Sequence, residues 1–281
     1  MNGMLAVRLL PQGFGCERHD CMKRAVPHDN ASPEKDETLA DSVYRRLKSD
    51  ILWGRLEPGQ ALRSDTIKTS YDVGISPLRE ALTRLASEAL VVRVAQRGFK
   101  VAPLDSAQVI DTAEARVLVE GEALRLSIER GDLQWETEIV AASHALSRTL
   151  SDGKLRPESE AWAVPHQRFH MALIAACRSE WLIRVATVLF DHAERHRIIG
   201  ERWRVSLEAS GAIAGRNREL EHEKLGKAVL KRDVDTALDL MRRHYMLTAQ
   251  SVVHVLDGER GHAVRLQSLR QGATRPRRAA G

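Results

Sequence analysis

Cysteine is scarce in this 281-residue chain, with Cys16, Cys21 and Cys177 as the whole complement. Three thiols at those spacings make neither a disulfide framework nor a zinc ribbon, so a reducing, cytoplasmic setting is expected. Long apolar runs are missing too. No uninterrupted stretch approaches the ~20 residues that a spanning helix needs. The short apolar start is broken by Arg8 and closed by Pro11, without the small-residue cleavage pattern of a secretory signal. The chain also lacks a nucleophile–base pair, a glycine-rich phosphate loop and separate acid/base carboxylates, which weighs against an enzyme.

What is present suits two globular domains: 43% hydrophobic residues, a net charge of +5, and a basic complement dominated by arginine. The guanidinium fork binds two oxygens at once, which favours phosphate and carboxylate partners. Residues 1–36 mix Gly, Pro, Asn, Ser and charges without helical periodicity, and residues 257–281 turn to Gly, Arg, Gln and Pro. Both ends are expected to be disordered, the second as a basic tail.

Between them, residues 37–103 read as one small domain. Leu39, Val43, Leu47 and Ile51 recur every four residues, a buried helical stripe that Gly54 ends. A Pro58-Gly59 turn precedes a second short helix, capped by Ser64, with Ile67 and Tyr71 inward. Ser76-Pro77 then predicts a cap and first-turn proline for a third helix, whose apolar face carries Leu78, Ala81, Leu82, Leu85 and Ala89. Two β-branched runs around Gly98 predict a hairpin. Three helices plus a hairpin is the order of a winged helix-turn-helix.

At 100° per residue, Ser76, Arg79 and Thr83 lie opposite the apolar stripe, where a recognition helix meets base edges. Arg97 and Lys100 flank Gly98 and give the wing a positive tip able to approach the DNA backbone or minor groove. Residue by residue, each of these is equally readable as ordinary solvated surface.

Residues 104–256 show only helical periodicity, with breaks near Gly131, Gly153, Arg178, Gly200 and Lys231. About six helices in an antiparallel bundle are expected, so the chain as a whole is mainly α. His166 and His170 fall on one helical face, and His222 and His244 follow on later helices. Imidazoles so arranged can hold a divalent metal, though on periodicity alone they read as readily as surface or hydrogen-bonded core histidines. Arg116 is a candidate to grip an effector carboxylate, or equally to pair with Glu120 one turn on. A second histidine pair, His192 and His196, has its glutamate in the wrong place for the His-Glu-x-x-His hydrolase arrangement and reads as surface or pocket lining.

The string Val73-Gly74-Ile75-Ser76-Pro77-Leu78-Arg79-Glu80-Ala81-Leu82, followed by Arg97-Gly98-Phe99-Lys100-Val101, resembles the GntR family of transcription regulators. Glu114-Ala115-Arg116, Phe169-His170, Glu221-His222 and Met241-Arg242-Arg243-His244 are similar to the FCD effector domain of that family's FadR branch. The resemblance implies a homodimer of repressor type that binds an operator in double-stranded DNA through Arg79 and senses a small carboxylic acid. It implies a zinc or nickel site at His170, His222 and His244, with His166 where the family commonly has aspartate. The rival reading is a metal-dependent enzyme that carries a nucleic-acid-binding module.

Overall fold

The computed structural model describes residues 38–95, 98–151, 159–206 and 216–273. Helix α1 (Leu39–Leu52) starts in a capping box: the Thr38 hydroxyl accepts from the Asp41 amide, and the Asp41 carboxylate takes the Thr38 amide. Ala40, Val43, Leu47 and Ile51 are buried, whereas Leu39, expected in the stripe, is 58% exposed because it sits in the first turn, above the core. Helix α2 (Ser64–Tyr71) buries Ile67 and Tyr71. Its cap is Arg63 rather than Ser64, which begins the helix.

Helix α3 (Ile75–Ser87) packs Leu78, Ala81, Leu82 and Leu85 against α1. Gly74 is the residue before it, so Ser76 and Pro77 are its second and third residues rather than cap and first. Proline is tolerated there because first-turn amides have no intrahelical acceptor. Ala89 does not belong to the buried face. The chain leaves the helix at Glu88, and Ala89 takes a left-handed φ of 55°.

The wing is a three-stranded antiparallel sheet in the order β1-β3-β2, formed by β1 (Ala61–Leu62), β2 (Val91–Val94) and β3 (Gly98–Val101). The register pairs Arg93 with Phe99, Val92 with Lys100 and Ala61 with Lys100. Two-residue β1 escapes sequence reading because so short a run shows no alternation.

The second part is helical: α4 (Ser106–Arg130), α5 (Leu133–Ser151), α6 (Glu160–Ile174), α7 (Glu180–Ser206), α8 (Arg218–Leu230) and α9 (Val234–Ala273). Asp105 and Asn217 cap α4 and α8 through bonds of 2.9 Å from Gln108 and Leu220 amides. Leu124, Ile139, Phe169, Leu173, Leu225 and Val229 form the core. None of the described helices is long and apolar enough to cross a membrane.

One expectation is corrected. Gly200 does not break a helix but lies inside α7, where a Cβ would stand 3.2 Å from Val252 of α9, so the missing side chain lets two helices approach closely. Helix α9 runs on through residues 257–273.

Gly131 ends α4 in an extended conformation, and a Cβ there would fall 2.0 Å from the buried Trp135 ring. That ring cannot swing away freely, because its Nε1 donates to the Ala172 carbonyl at 2.9 Å. Gly131→Ala is therefore expected to destabilise the bundle by about 1–3 kcal/mol through overpacking. Urea denaturation checks this; a midpoint equal to the parent's would contradict it.

Candidate nucleic-acid interface and metal centre

On α3 the side chains of Ser76, Arg79, Thr83 and Ser87 are exposed, opposite the buried face. The Thr83 hydroxyl donates to the Arg79 carbonyl at 2.8 Å, leaving its oxygen lone pairs facing outward. Arg79 and Thr83 share a surface depression with Arg93, Val94, Gly98 and Phe99, so the third helix and the wing form one continuous face. Gly98 has φ +84° with nothing within 4 Å of a would-be Cβ. The backbone conformation, not lack of space, selects glycine there.

Lys100 is half-buried on the opposite face of the wing from Phe99 and Arg93, because alternate strand residues point oppositely. Arg97 lies outside the described residues. Arg93 takes the place at the rim instead, its guanidinium 5.5 Å from the Phe99 ring centroid. Its position on β2, two residues past buried Val91, was the available signal.

In the helical part, α6, α8 and α9 bring His166, His170, His222 and His244 together, all buried, with one donor nitrogen from each within 4.8 Å of the others. Three rings are oriented by their other nitrogen. His222 Nδ1–H donates to the Arg218 carbonyl at 2.7 Å, and His244 Nδ1–H to Glu221 at 2.7 Å. His170 Nδ1 lies 3.3 Å from the Tyr245 oxygen, which itself donates to Glu120 at 2.6 Å. His166 Nδ1 is 3.4 Å from Glu194 but without hydrogen-bond alignment. Such outer partners fix the tautomer and direct Nε2 inward.

The set fits a metal ion. His222 Nε2 is buried with no partner, and the Nε2 atoms of His166 and His170 stand 3.1 Å apart. Nitrogens at ~2.0–2.1 Å from a tetrahedral zinc would stand about 3.4 Å apart, close to that spacing. The rings are also held in the ligating form. Burial, then the neighbouring rings, push His170 and His222 well below the usual imidazole range. Burial lowers His244 to about 4 despite the opposing pull of Glu221, and lowers His166 against Glu194.

Beside the cluster lies a cavity of about 40 Å³, lined by Arg116, Trp162, Glu194, His196, Arg197 and Tyr245 among others. At ~10–15 Å³ per water-sized site, it holds roughly three waters as it stands. Its arginines are already matched by carboxylates. Arg116 grips Glu120 bidentately at 2.5 and 3.1 Å, Arg197 pairs with Glu194 at 2.5 Å, and Arg218 pairs with Glu201. Arg116 also sits 3.9 Å over the Tyr245 ring. His196 lines the cavity, while His192 reaches away to the Glu88 carbonyl at 2.7 Å. Sequence reading missed Glu194, Glu221 and Tyr245, although the last two adjoin His222 and His244 in the chain.

Two family profiles match: that described as bacterial regulatory proteins, gntR family, over residues 39–101, and the FCD domain over residues 111–246. The chain is 35% identical over 216 residues to the HTH-type transcriptional repressor GlaR of Escherichia coli strain K12, covering 76% of this chain and 96% of that protein. It is also 35% identical over 210 residues to the HTH-type transcriptional regulator BphR of Paraburkholderia xenovorans strain LB400, covering 74% and 82%. A solved structure of E. coli McbR/YncC shares the fold at a TM-score of 0.59 and 20% identity, over 79% of this chain and 98% of that one. The rival reading as an enzyme gives way to these matches, and the chain belongs to the GntR family of DNA-binding transcription regulators, with an FCD domain following its helix-turn-helix.

Proposed function

We propose that this regulator is a cytoplasmic, homodimeric repressor whose residues 37–103 bind operator DNA and whose residues 104–256 sense a small carboxylic acid through a bound zinc or nickel ion. The observation that carries the sensing part is four buried imidazoles converging beside a cavity whose arginines are already neutralised. With Arg116 and Arg197 committed to glutamates, an anionic ligand gains little from them. A divalent ion on four neutral rings restores a net positive centre, and its Lewis acidity suits a carboxylate oxygen. His166 in place of a carboxylate tilts the site towards softer ions.

Ser76, Arg79, Thr83, Arg97, Gly98 and Lys100 are the proposed DNA contacts, joined by Arg93. Dimerisation is assigned to exposed apolar side chains of α4 and α7, Leu118 at 75% and Trp181 at 73% exposure. Repression is the sign suggested by the relative GlaR.

Metal analysis of the purified protein, followed by thermal melts with short carboxylic acids in the presence and absence of zinc, tests the reading. A ligand at a hundred times its Kd adds about 2.7 kcal/mol, which should raise Tm by roughly 5–10 °C. The gain is expected only with metal present. Equal gains in chelator-treated protein would place the carboxylate elsewhere.

A further inference from the structure

Helix α7 works on two faces. Phe190, Glu194, Arg197 and Glu201 form a stripe on the side of the cavity and the histidine cluster. Asp191, His192, Arg195, Ile199 and Arg202 form a second stripe, roughly 140° away at 100° per residue. That second stripe meets the winged helix-turn-helix at the ends of its elements. Asp191 pairs with Lys48 of α1 at 2.7 Å, and the same ammonium reaches Glu88, at the end of the DNA-reading helix α3, at 2.9 Å. His192 donates to the Glu88 carbonyl at 2.7 Å. Arg195 donates to the Ala102 carbonyl just after β3, and Arg202 to the Trp53 carbonyl just after α1, at 2.7 Å. Gly54 makes room for that last contact: a Cβ there would stand 3.0 Å from the Arg202 guanidinium.

These contacts are polar. Arg195 is only 1% exposed, its Nε meets no acceptor, and no carboxylate among the described residues pairs with it. A buried guanidinium without a counter-ion penalises the docked arrangement, so a modest opposing force can release it. Packed helices accommodate shifts of about 1–2 Å as discrete alternatives, which is the scale needed to break bonds of this kind.

We infer that α7 is the rod that carries occupancy of the cavity to the DNA-reading domain, with Lys48, Glu88 and Asp191 as the latch at its far side. Lys48 and Asp191 are positioning residues: neither touches the cavity or the proposed DNA face, and both set where α3 stands relative to the bundle. A ligand or ion that reorients Glu194 and Arg197 turns the same helix at Asp191 and His192. This rests on the sensing function proposed above and adds the route by which sensing is read out.

Hydrogen exchange on the full chain, with zinc as the probe against chelator-treated protein, separates the two ideas. In the parent, zinc should slow exchange in α6 and α8 around the histidines and also change it in residues 49–56 and 84–90 by about fivefold or more, the usual floor of inter-site coupling. Lys48→Met and Asp191→Asn should keep the first response, which also shows that they fold, and lose the second. The double variant should lose no more than either single one. A parent response confined to the helical part, or one that survives undiminished in both variants, overturns the latch while leaving the metal site intact. No zinc response around the histidines overturns the sensing reading, and the rod with it.

Discussion

Arg79→Ala should lose most of the discrimination between operator and unrelated DNA, at about 1–3 kcal/mol for each half-site. The side chain stands in the second turn of α3, exposed, over a helix whose opposite face is fixed by fully buried Leu78, Ala81, Leu82 and Leu85. A rigid support of this kind is what lets one guanidinium choose O6 and N7 of a guanine over other base edges. In a dimer on a palindromic site the loss is counted twice, so the specific complex approaches nonspecific affinity. Arg93→Ala is the instructive control. Its guanidinium lies at the rim of the same depression but on the wing, where contacts to phosphate carry no sequence information. That change should weaken operator and random DNA alike and reduce the salt dependence of binding. Fluorescence anisotropy with both DNAs at two salt concentrations distinguishes the outcomes. An unchanged ratio of affinities in Arg79→Ala would remove α3 from the role of reader.

Much of the reading face was legible in advance because periodicity reports faces well and boundaries poorly. The stripe Leu78, Ala81, Leu82 and Leu85 fixes the outward side of α3 wherever the helix starts, since moving its first residue from Pro77 to Ile75 rotates nothing. The wing was less legible. Strand alternation puts Lys100 on the same face as Gly98, two residues before it, but nothing in the run announces that pairing with Phe99 brings Arg93 of β2 to the depression that holds Arg79. For Gly200 the usual breaker reading failed because its purpose is tertiary: it meets Val252, more than fifty positions away.

The histidine cluster divides the same way. Spacing alone places His166 and His170 on one face and offers His222 and His244 as further candidates on later helices, while their assignment to one metal site comes from the family resemblance. Among the arginine–glutamate pairs that neutralise the cavity, Arg116 with Glu120, four apart on α4, and Arg197 with Glu194, three apart on α7, are legible from spacing. Arg218 and Glu201 sit on different helices, and nothing in the sequence announces such a pairing.

The four imidazoles should bind zinc in a way that depends on His222 more than on any outer partner. His222 Nε2 is buried and without a hydrogen bond, and its ring is held by the Arg218 carbonyl, so it is poised before any ion arrives. Spreading the roughly 10–16 kcal/mol of a structural zinc site over four ligands gives about 2.5–4 kcal/mol each. His222→Ala is therefore expected to weaken zinc by about 100- to 1,000-fold. Glu221→Gln, which only loosens the bond orienting His244, should cost about 10- to 100-fold. The acid side follows with a definite sign. Burial holds these rings neutral when folded, His244 down to about 4, whereas in the unfolded chain an ordinary imidazole titrates near 6.5. Between those values the unfolded state binds the extra protons, so metal-free protein loses stability as pH falls from about 6.5 towards 4 and is insensitive above that window. At pH 7 the rings have no protons to surrender, so zinc uptake should release almost none. Calorimetry in two buffers of different ionisation enthalpy measures that release directly. A release of two or three protons per zinc, or a His222→Ala variant that competes with chelator as well as the parent, would show that the rings are not the preformed ligand set.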